Sequence, residues 1–285
     1  MIKKLIFLVV WLILIDSVSM GAIRQQKIAT SDIGMFSRFG WSVSISGDGN
    51  TIAVGVPFDD RESNSDQGST YIYWRSGRQW FLQQKVTSTD GAAFDRFGWS
   101  VSISSDGNTM VVGAPFNKIS GKSEQGSAYV FVRNSGKWIQ QQKLTVSDGS
   151  DGDRFGWAVS ISSDGNIIVI GAPLVNVGGR SDQGSSYVFV RSKEQWIQQQ
   201  KLTALDGSAD DNFGQSVSIN GPGNLMVSGA PEKNIAMKAS QGSVYVLFKG
   251  LIPNFTSIEW SGILLTVFSA FGFLYYMRRR RKGKS

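Results

Sequence analysis

Seven aspartates recur along the sequence at intervals of 58 residues, and carboxylates at fixed spacing are the side chains here that could do chemistry. Carboxylates in pairs can act as general acid and base in glycoside hydrolysis, or can supply the oxygen ligands that Ca²⁺ prefers. A catalytic pair should interrupt a repeating pattern, and these aspartates follow the pattern throughout. We therefore interpret them as loop caps that accept backbone N–H groups, with a cation site as the alternative. One set is Asp32, Asp90, Asp148 and Asp206, and the other is Asp95, Asp153 and Asp211.

The composition excludes most other site chemistries, because the chain has neither His nor Cys. Without imidazole or thiol there is no Ser-His-Asp or Cys-His nucleophile pair and no zinc site of the usual type. The sequence thus predicts no enzyme, no catalytic residue, no metal site and no cofactor. Calcium or magnesium stays the alternative for a metal, because both take oxygen ligands. Eight of the 29 Lys and Arg lie within the first four and the last eight residues, so the positive charge comes from the ends of the chain. A nucleic-acid partner is therefore not predicted.

Both ends of the chain are apolar and predict a membrane protein. Residues 1–21 carry two lysines, an apolar run from Leu5 to Ile15 and then small residues, which is typical of a cleaved signal peptide. An uncleaved anchor is the alternative. Residues 258–277 are long and apolar enough to cross a hydrocarbon layer of about 30 Å as a helix. Because the basic tail 278–285 stays on the cytoplasmic side, the sequence predicts a single-pass type I protein at the cell surface, with a linker at 251–257.

The middle of the chain, residues 22–250, is a fourfold repeat. The pair Phe-Gly occurs at 39–40, 97–98, 155–156 and 213–214, and a Gly-Val-Pro or Gly-Ala-Pro triplet follows each pair at a constant distance. Four copies without an insertion or deletion imply one structural unit repeated in space, as in propellers and solenoids. The repeats span about 31–88, 89–146, 147–204 and 205–250.

Each repeat contains the pattern of four β-strands, seen best in the second copy. Residues 99–104 alternate apolar side chains with Ser, which is typical of a half-buried strand. Asp106-Gly107 predicts a two-residue hairpin turn into the apolar strand 109–115. After a polar loop, the β-branched and aromatic strand 127–133 is followed by the more polar strand 137–144. The four strands predict one blade of a β-propeller.

The fourth copy lacks its last strand, and the N-terminal segment offers one. After VYVLFKG at 244–250 the chain has neither the Trp nor the QQK that mark the outermost strand elsewhere. Residues 23–30, IRQQKIAT, carry QQK with no strands of their own repeat before them. We expect this segment to complete the last sheet, so that an all-β, four-bladed propeller closes on itself and hides two sheet edges. A monomer is favoured over the alternative of eight blades built from two chains.

The constellation FG-x-S-V-S-I-S, V-V-G-A-P and Q-G-S-A-Y-V-F-V resembles the FG-GAP repeat, the blade unit of integrin alpha chains. The resemblance covers about residues 23–250. In that family one blade edge often carries an Asp-rich calcium loop in the hairpin between the first two strands. Here this hairpin is only Ser-Asp-Gly-Asn at 105–108, which cannot supply the six or more oxygens that calcium takes. The resemblance therefore does not extend to calcium binding in this hairpin.

The loops between the second and third strands differ in every copy and share one face of the predicted propeller with the loops between blades. Variable loops on a rigid frame are where recognition usually resides, and the resemblance implies that this face binds ligand. We predict a cell-surface recognition or adhesion protein that binds an extracellular protein partner through this face. The loops are 58–67, 116–125, 174–183 and 232–241, and the candidate contacts are Asp59, Asp60, Arg61, Glu62, Lys118, Lys122, Arg180, Lys233, Asp151 and Asp210.

Two other functions stay open. The recurring Trp41, Trp99 and Trp157 are interpreted as packing residues, but exposed members could stack on sugars and make the protein a glycan-binding, lectin-like receptor. The protein could also be an accessory subunit that assembles with other membrane proteins through its spanning segment.

Overall fold

The computed structural model describes residues 25–61, 63–236 and 238–249 of the 285. The predicted signal peptide, linker, spanning segment and basic tail lie outside the described residues. Within those residues, no helix has the length and apolar character needed to cross a membrane. The chain divides into two units, Met1–Leu247 and Phe248–Ser285, and the fold built by the repeats lies in the first.

Fifteen β-strands in the described residues form four antiparallel sheets, one for each repeat. In every sheet each strand pairs with the next one along the chain, as the predicted blade requires. The β-branched and aromatic residues of the repeat produce these strands because they fill pleated surfaces that pack on both sides. The strands are β1 (Ser42–Ile45), β2 (Thr51–Val56), β3 (Ser69–Ser76), β4 (Gln79–Val86), β5 (Ser100–Ile103), β6 (Thr109–Ala114), β7 (Ser127–Asn134), β8 (Lys137–Leu144), β9 (Ala158–Ile161), β10 (Ile167–Ala172), β11 (Ser185–Ser192), β12 (Gln195–Leu202), β13 (Ser216–Ile219), β14 (Leu225–Ala230) and β15 (Ser243–Phe248).

The hairpin between the first two strands of a repeat is longer than predicted. In the second repeat it runs from Ser104 to Asn108 rather than through two residues, because a side chain takes over part of the pairing. The Asp106 carboxylate accepts the Ser104 hydroxyl at 2.6 Å and the Asn108 N–H at 3.0 Å. Asp106 therefore serves the turn itself, as short polar side chains in such turns usually do.

Consecutive sheets pack face to face, and the Phe of each Phe-Gly pair lies at the centre of the contact. Phe97 is fully buried, with its ring centre 5.4 Å from that of Tyr129 and 5.8 Å from that of Phe131. Its N–H reaches back to the previous repeat and donates to the carbonyl of Gln67 at 2.8 Å. The same residue thus fills the core and ties two sheets together. Phe155 and Phe213 are buried in the same way, and their N–H groups donate to Gln125 and Gln183 at 2.9 Å.

The sheets approach so closely at one point that only glycine fits there. A Cβ atom on Gly113 would lie 2.0 Å from the carbonyl oxygen of Gly156 in the next sheet. That carbonyl also accepts the Ser100 hydroxyl at 2.9 Å, so it is held in place. Real Cβ contacts are never this short, and the Gly of each of the first three Gly-Val-Pro or Gly-Ala-Pro triplets is therefore required by packing. Gly55 and Gly171 face Gly98 and Gly214 in the same manner, at 2.0 and 1.9 Å.

The prediction that the N-terminal segment completes the fourth sheet is wrong. Residues 25–30 form no strand, and the fourth sheet has only β13, β14 and β15 among the described residues. Ile28 packs instead against the first sheet, beside Val54 and Tyr71. The inner strands β1, β5, β9 and β13 contact one another in that order, but in the described part of the chain β13 makes no comparable contact with β1.

Two contacts give the physical reason for this difference. Tyr71 donates its hydroxyl to Asp32 at 2.8 Å and Lys85 donates to the same carboxylate at 3.3 Å, so the N-terminal segment is tied to the sheet that follows it. The close approach of the glycines also fixes how each sheet sits on the next, because a packed interface of this kind does not deform continuously. Three such steps leave the first and fourth sheets apart.

The glycine contact between the second and third sheets is testable. We expect Gly113→Ala to lower the free energy of unfolding by about 1–3 kcal/mol, because the added methyl must push two well-packed sheets apart. Urea unfolding of the full-length chain, followed by tryptophan fluorescence, measures the loss.

Gly34→Ala is the control for that measurement. Its Cβ would meet its nearest neighbour, the Ser37 hydroxyl, at 3.8 Å, and Ala92 occupies the equivalent place in the second repeat. We expect a change within about 0.5 kcal/mol. Equal losses in the two variants would contradict the argument from close approach.

Candidate functional site

Four short hairpins project from one face of the sheets, and we call this surface the loop face. Each hairpin interrupts the connection between the second and third strands of a repeat. In the second repeat, Ile119 and Lys122 exchange backbone hydrogen bonds at 3.0 and 2.9 Å around a tip made of Ser120 and Gly121. Both tip residues have positive φ, 49° and 93°, which is typical of tight two-residue hairpins. The other three hairpins are closed by Arg61 and Asn64, Val177 and Arg180, and Ile235 and Lys238.

Beside the hairpins, on the same face, a row of stacked arginine and aromatic side chains crosses the first three sheets; we call it the Arg–Trp ladder. Trp99 lies at its centre, with its ring centre 4.8 Å from that of Trp41 on one side and 4.8 Å from that of Trp157 on the other. These residues immediately precede the inner strands, which brings them together at the inner rim. The remaining members are Arg38, Arg96, Arg154, Phe58 and Phe116.

Arg96 shows how the ladder is stabilised. Its guanidinium lies 4.9 Å from the ring centre of Phe58 and 4.3 Å from that of Phe116, so it is held between two aromatic faces. Contacts of this kind contribute about 0.5–2 kcal/mol each. The ladder ends at the third sheet, because the fourth repeat carries Asn212 and Gln215 in place of Arg and Trp, and Glu232 in place of Phe.

The recurrence of Trp41, Trp99 and Trp157 does not by itself predict the ladder. The residues that the sequence analysis missed are Phe58 and Phe116, which follow Pro in the first two triplets and whose rings alternate with the arginines. Nothing local marks this Phe as a partner of Arg96, which is 38 residues from Phe58 and 20 from Phe116 in the chain. The stacking follows from the contact between sheets.

The first set of recurring aspartates holds the loops between repeats on the sheets. Asp90 accepts the Tyr129 hydroxyl at 2.9 Å and the Lys143 ammonium at 2.6 Å. Burial alone would raise the pKa of Asp90, but the contacts with Lys143 and Tyr129 outweigh it and hold the pKa below its usual value. Asp32 is bound in the same way by Tyr71 and Lys85.

The second set caps the same loops from within. Asp95, which is buried, accepts the Ala92 N–H at 2.7 Å and the Asn117 amide at 2.6 Å. Burial raises its pKa above the usual value, despite these hydrogen bonds. Asp153 and Asp211 accept the N–H of Ser150 and Ser208, at 2.6 and 2.7 Å. In the described part of the chain, no three acidic side chains come together in a way that could hold a metal ion.

Two of the predicted ligand contacts lie in the interior. Asp59 is buried against Lys85 at 2.9 Å, and Lys233 is buried against Asp211 at 3.0 Å and Asp206 at 3.5 Å. Lys233 takes the place of the lysine that an outermost strand would carry, since the fourth sheet has no such strand among the described residues. Both side chains therefore serve the fold and do not reach a ligand on the loop face.

The other predicted contacts lie on or beside the loop face. Lys118 is exposed next to the second hairpin, and Lys122 donates to the carbonyl of Gly149 at 2.5 Å. Asp60 accepts the Asp66 N–H at 2.9 Å, and Asp151 accepts the Ser123 N–H at 2.6 Å, so both are exposed but committed to loop structure. Glu62 lies outside the described residues. Arg61 and Arg180 close their hairpins, and Asp210 is exposed with a φ of 65°.

The repeat family matches this arrangement. A sequence family described as FG-GAP repeat matches residues 23–73, 80–131, 138–189 and 196–248. These segments make up more than half of the chain, and each of the last three begins on the outermost strand of one sheet and runs through three strands of the next. The chain belongs to the FG-GAP repeat family. The all-β fold of propeller blades predicted from the sequence is thereby confirmed.

Integrin alpha chains are among the similar proteins. Integrin alpha-X of Homo sapiens is 31% identical over 130 residues, which are 43% of this chain and 11% of that protein. Integrin alpha-D of Homo sapiens is 30% identical over 138 residues, which are 46% of this chain and 12% of that protein. Integrin alpha-M of Mus musculus is 24% identical over 260 residues, which are 87% of this chain and 21% of that protein. This FG-GAP chain thus spans at most 21% of the length of these three relatives.

A solved structure also aligns. The hydrazine synthase of Kuenenia stuttgartiensis is 14% identical, with a TM-score of 0.47 over 80% of this chain and 49% of that one. A similarity of that size carries no argument about function.

The lowered pKa of Asp90 gives a pH-dependent prediction. Since the folded pKa lies below the ordinary value of 3.8, the contact with Lys143 stabilises the fold above that pH and the benefit is lost as the pH falls through the folded pKa. We expect Asp90→Asn to cost about 1 kcal/mol or less at pH 7, because half of the carboxylate is exposed. The cost should vanish in strong acid. Urea unfolding at the two pH values measures it.

Glu194→Gln provides the comparison. Glu194 is exposed and makes no ion pair with the described residues. Its substitution should leave stability unchanged at both pH values. A cost for Asp90→Asn that persists in acid would show that the ion pair is not its origin.

Proposed function

We propose that this FG-GAP protein is a non-enzymatic recognition or adhesion protein that binds an extracellular protein partner through the loop face. The observation that carries the proposal is the set of four exposed hairpins of unlike sequence, held at one end of a uniform scaffold. The sheets repeat their packing, whereas the hairpins differ in charge and shape, and variation confined to surface loops is typical of binding sites. The similarity to integrin alpha chains agrees with this function.

The loop face carries exposed charges of both signs, and its cations are the candidate contacts for carboxylates of a partner. Lys118 and Arg180 are exposed on the hairpins, and Arg61 closes the first one. The Arg–Trp ladder adds guanidinium edges and partly exposed rings beside them. Arginine and aromatic side chains are enriched among the residues that dominate protein–protein binding energies. Asp59 and Lys233 are not part of this proposed surface, since they are buried.

The proposed function does not include catalysis. It does include anchoring in a membrane. The absence of His and Cys removes the common nucleophile pairs, and the recurring aspartates of the described linkers are engaged in caps and ion pairs. The apolar segment at 258–277 and the basic residues after it support a type I anchor that presents the loop face outside the cell.

A charge-reversal test separates the loop face from the opposite face. The full-length chain in fluorescent liposomes is expected to adhere to cells of its source organism. The triple variant Arg61→Glu, Lys118→Glu, Arg180→Glu should lower adhesion at least about tenfold, since each lost charged contact in a binding surface costs a sizeable part of the binding free energy. Adhesion is read as bound fluorescence.

The matched control reverses three charges in the same three repeats at the opposite end of the sheets. Arg78, Lys137 and Lys193 are exposed at the turns between the third and fourth strands. Their reversal to Glu should leave adhesion unchanged. Equal losses in both triple variants would refute recognition by the loop face.

Glycan binding is the second candidate, and the exposure of Trp41 favours it. Trp41 is 40% exposed at the open end of the ladder, next to Arg38, which offers a ring face and a charge to an acidic sugar. If this is the function, a glycan array should show binding that Trp41→Ala abolishes. Trp74→Ala, which alters a Trp that is 44% exposed on β3, should have no effect.

A further inference from the structure

The first sheet has an apolar face that no other sheet of the described residues covers, and we call it the front face. Val43 and Ile45 on β1 are 67% and 58% exposed, whereas the equivalent Val101 and Ile103 on β5 are 8% and 7% exposed. The difference arises because β5 lies against the first sheet and β1 has no preceding sheet in the described residues. An open pocket of about 500 Å³ remains there, lined by Ile28, Phe39, Val43, Ile45, Ile52 and Val54, among others.

The fourth sheet has a matching uncovered face on its other side, the back face. Val244 and Val246 on β15 are 67% and 51% exposed, whereas the equivalent Ala128 and Val130 on β7 are fully buried under the third sheet. Solvent-exposed β-branched side chains in a row on a sheet are typical of an interaction surface. The large uncovered apolar side chains on these two faces are therefore explained by one missing interface.

The interface that would cover both faces already occurs three times within the chain. At each occurrence the back face of one sheet receives the front face of the next, and an inner-strand Ser accepts a backbone N–H from its neighbour. These hydrogen bonds are Ile103 to Ser44 at 3.1 Å, and Ile161 to Ser102 and Ile219 to Ser160 at 3.2 Å. By the same spacing, the corresponding pair at the uncovered faces is Ser218 on the back face, as acceptor, and the Ile45 N–H on the front face, as donor.

The glycines of the missing interface are also in place. Gly40 on the front face has a φ of 89°, as Gly98, Gly156 and Gly214 have 92°, 94° and 95°, yet nothing lies within 4 Å of where its Cβ would be. Gly229 on the back face corresponds to Gly113, but among the described residues its nearest contact is the movable Ser216 hydroxyl, and the nearest carbonyl oxygen is that of Ser216 in its own sheet, at 3.9 Å. Both positions keep the shape required for a close approach, which neither makes within residues 25–61, 63–236 and 238–249.

The N-terminal segment fits the same interface. Within the chain, the outermost strand β8 pairs with β7 and ends at Leu144, which packs against the next sheet. Ile28 packs against the first sheet at the equivalent place, but residues 25–30 have no sheet of their own to join. The fourth sheet, in turn, lacks an outermost strand among the described residues. Residues 25–30 of one chain could therefore supply the strand that the fourth sheet of another chain lacks.

We infer that two copies of this chain associate head to tail, so that the back face of each fourth sheet covers the front face of the other copy's first sheet. Val227 and Val246 of one copy enter the pocket of the other, as Ala53 and Ile72 enter the equivalent site between the first two sheets. Residues 25–30 of each copy then supply the outermost strand of the other's fourth sheet. The same contact occurs twice, related by a twofold axis, and closes one ring of eight sheets.

A second copy, rather than the chain's own fourth sheet, is the occupant because the internal interfaces are uniform and tight. The three glycine contacts, with Cβ positions at 2.0, 2.0 and 1.9 Å from the facing oxygens, leave no room to turn each sheet further. Closing four sheets onto themselves would require every interface to change. A ring of eight sheets needs only half the turn at each interface that a ring of four needs, and it can keep the glycine contacts. This association involves a different surface from the loop face, so it stands or falls separately from the proposed recognition.

Gly229→Ala tests the association without disturbing the single chain. Light scattering of the detergent-solubilised full-length protein should give the mass of two chains. In the variant, a methyl group meets the partner's Gly40 region in both symmetric contacts, and we expect dissociation to become about a hundredfold easier. The unfolding of the dissociated chain should be unchanged, and Gly34→Ala should leave the mass of two chains intact. A wild-type protein with the mass of one chain would overturn the inference.

Disulfide trapping decides which chain supplies the contact. Because the protein has no Cys, the pair Ser218→Cys and Ile45→Cys reports without background. The pair Ser102→Cys and Ile161→Cys, at the equivalent internal place, is the positive control and should form a bond within one chain. The test pair should yield a covalent dimer on a non-reducing gel. A bond within one chain would instead establish a self-closed four-sheet ring, and no bond at all, with the control formed, would likewise refute the inference.

Discussion

The close approach of consecutive sheets is the constraint on which the rest of this FG-GAP structure depends. At Gly113 the backbone of one sheet touches the Gly156 carbonyl of the next, and Phe155 is buried beside that contact. Aromatic burial supplies the free energy, while the glycines permit the distance at which the hydrogen bonds between sheets can form. Because each repeat carries the same residues, each interface has the same geometry, and the sheets form a regular series.

Charged side chains surround the same contacts between sheets. Each repeat places an acid and a lysine there, but different repeats supply them from different positions in the sequence. The second repeat places a carboxylate at Asp95 and a lysine at Lys143. The first has Ser37 at the position of Asp95 and supplies the acid from Asp59 instead. The fourth has no outermost strand in the part of the chain that the structure describes, and it supplies the lysine from Lys233. A buried charge without a partner is costly, so a change at one position is compensated at another that reaches the same place in space. This explains why two apparent surface residues of variable loops lie in the interior.

Two kinds of surface differ from the internal interfaces: the hairpins, which vary between repeats, and the uncovered faces of the first and fourth sheets. The hairpins of the loop face lie outside the strands, so most of their side chains are not fixed by the packing of one sheet on the next and their sequences differ, although Lys122 still binds the Gly149 carbonyl of the following repeat. The front and back faces keep the glycines and apolar strand positions of the internal interfaces, including Gly40 and Gly229, although the described residues of the single chain do not use them. The varied sequences of the hairpins support a site for a different protein. The retained interface residues of the front and back faces support a site for a second copy of this chain.

The sequence by itself determined the number of repeats, the strands of each and the face on which the variable loops lie, because a fixed period, alternation and turn residues are local signals. Only the tertiary structure decided three matters. It brought Arg96 between Phe58 and Phe116, buried Asp59 and Lys233, and placed Ile28 on the first sheet rather than residues 25–30 on the fourth. These outcomes depend on how far each sheet turns from the last, and that angle is set by contacts between residues far apart in the chain, which no local pattern records.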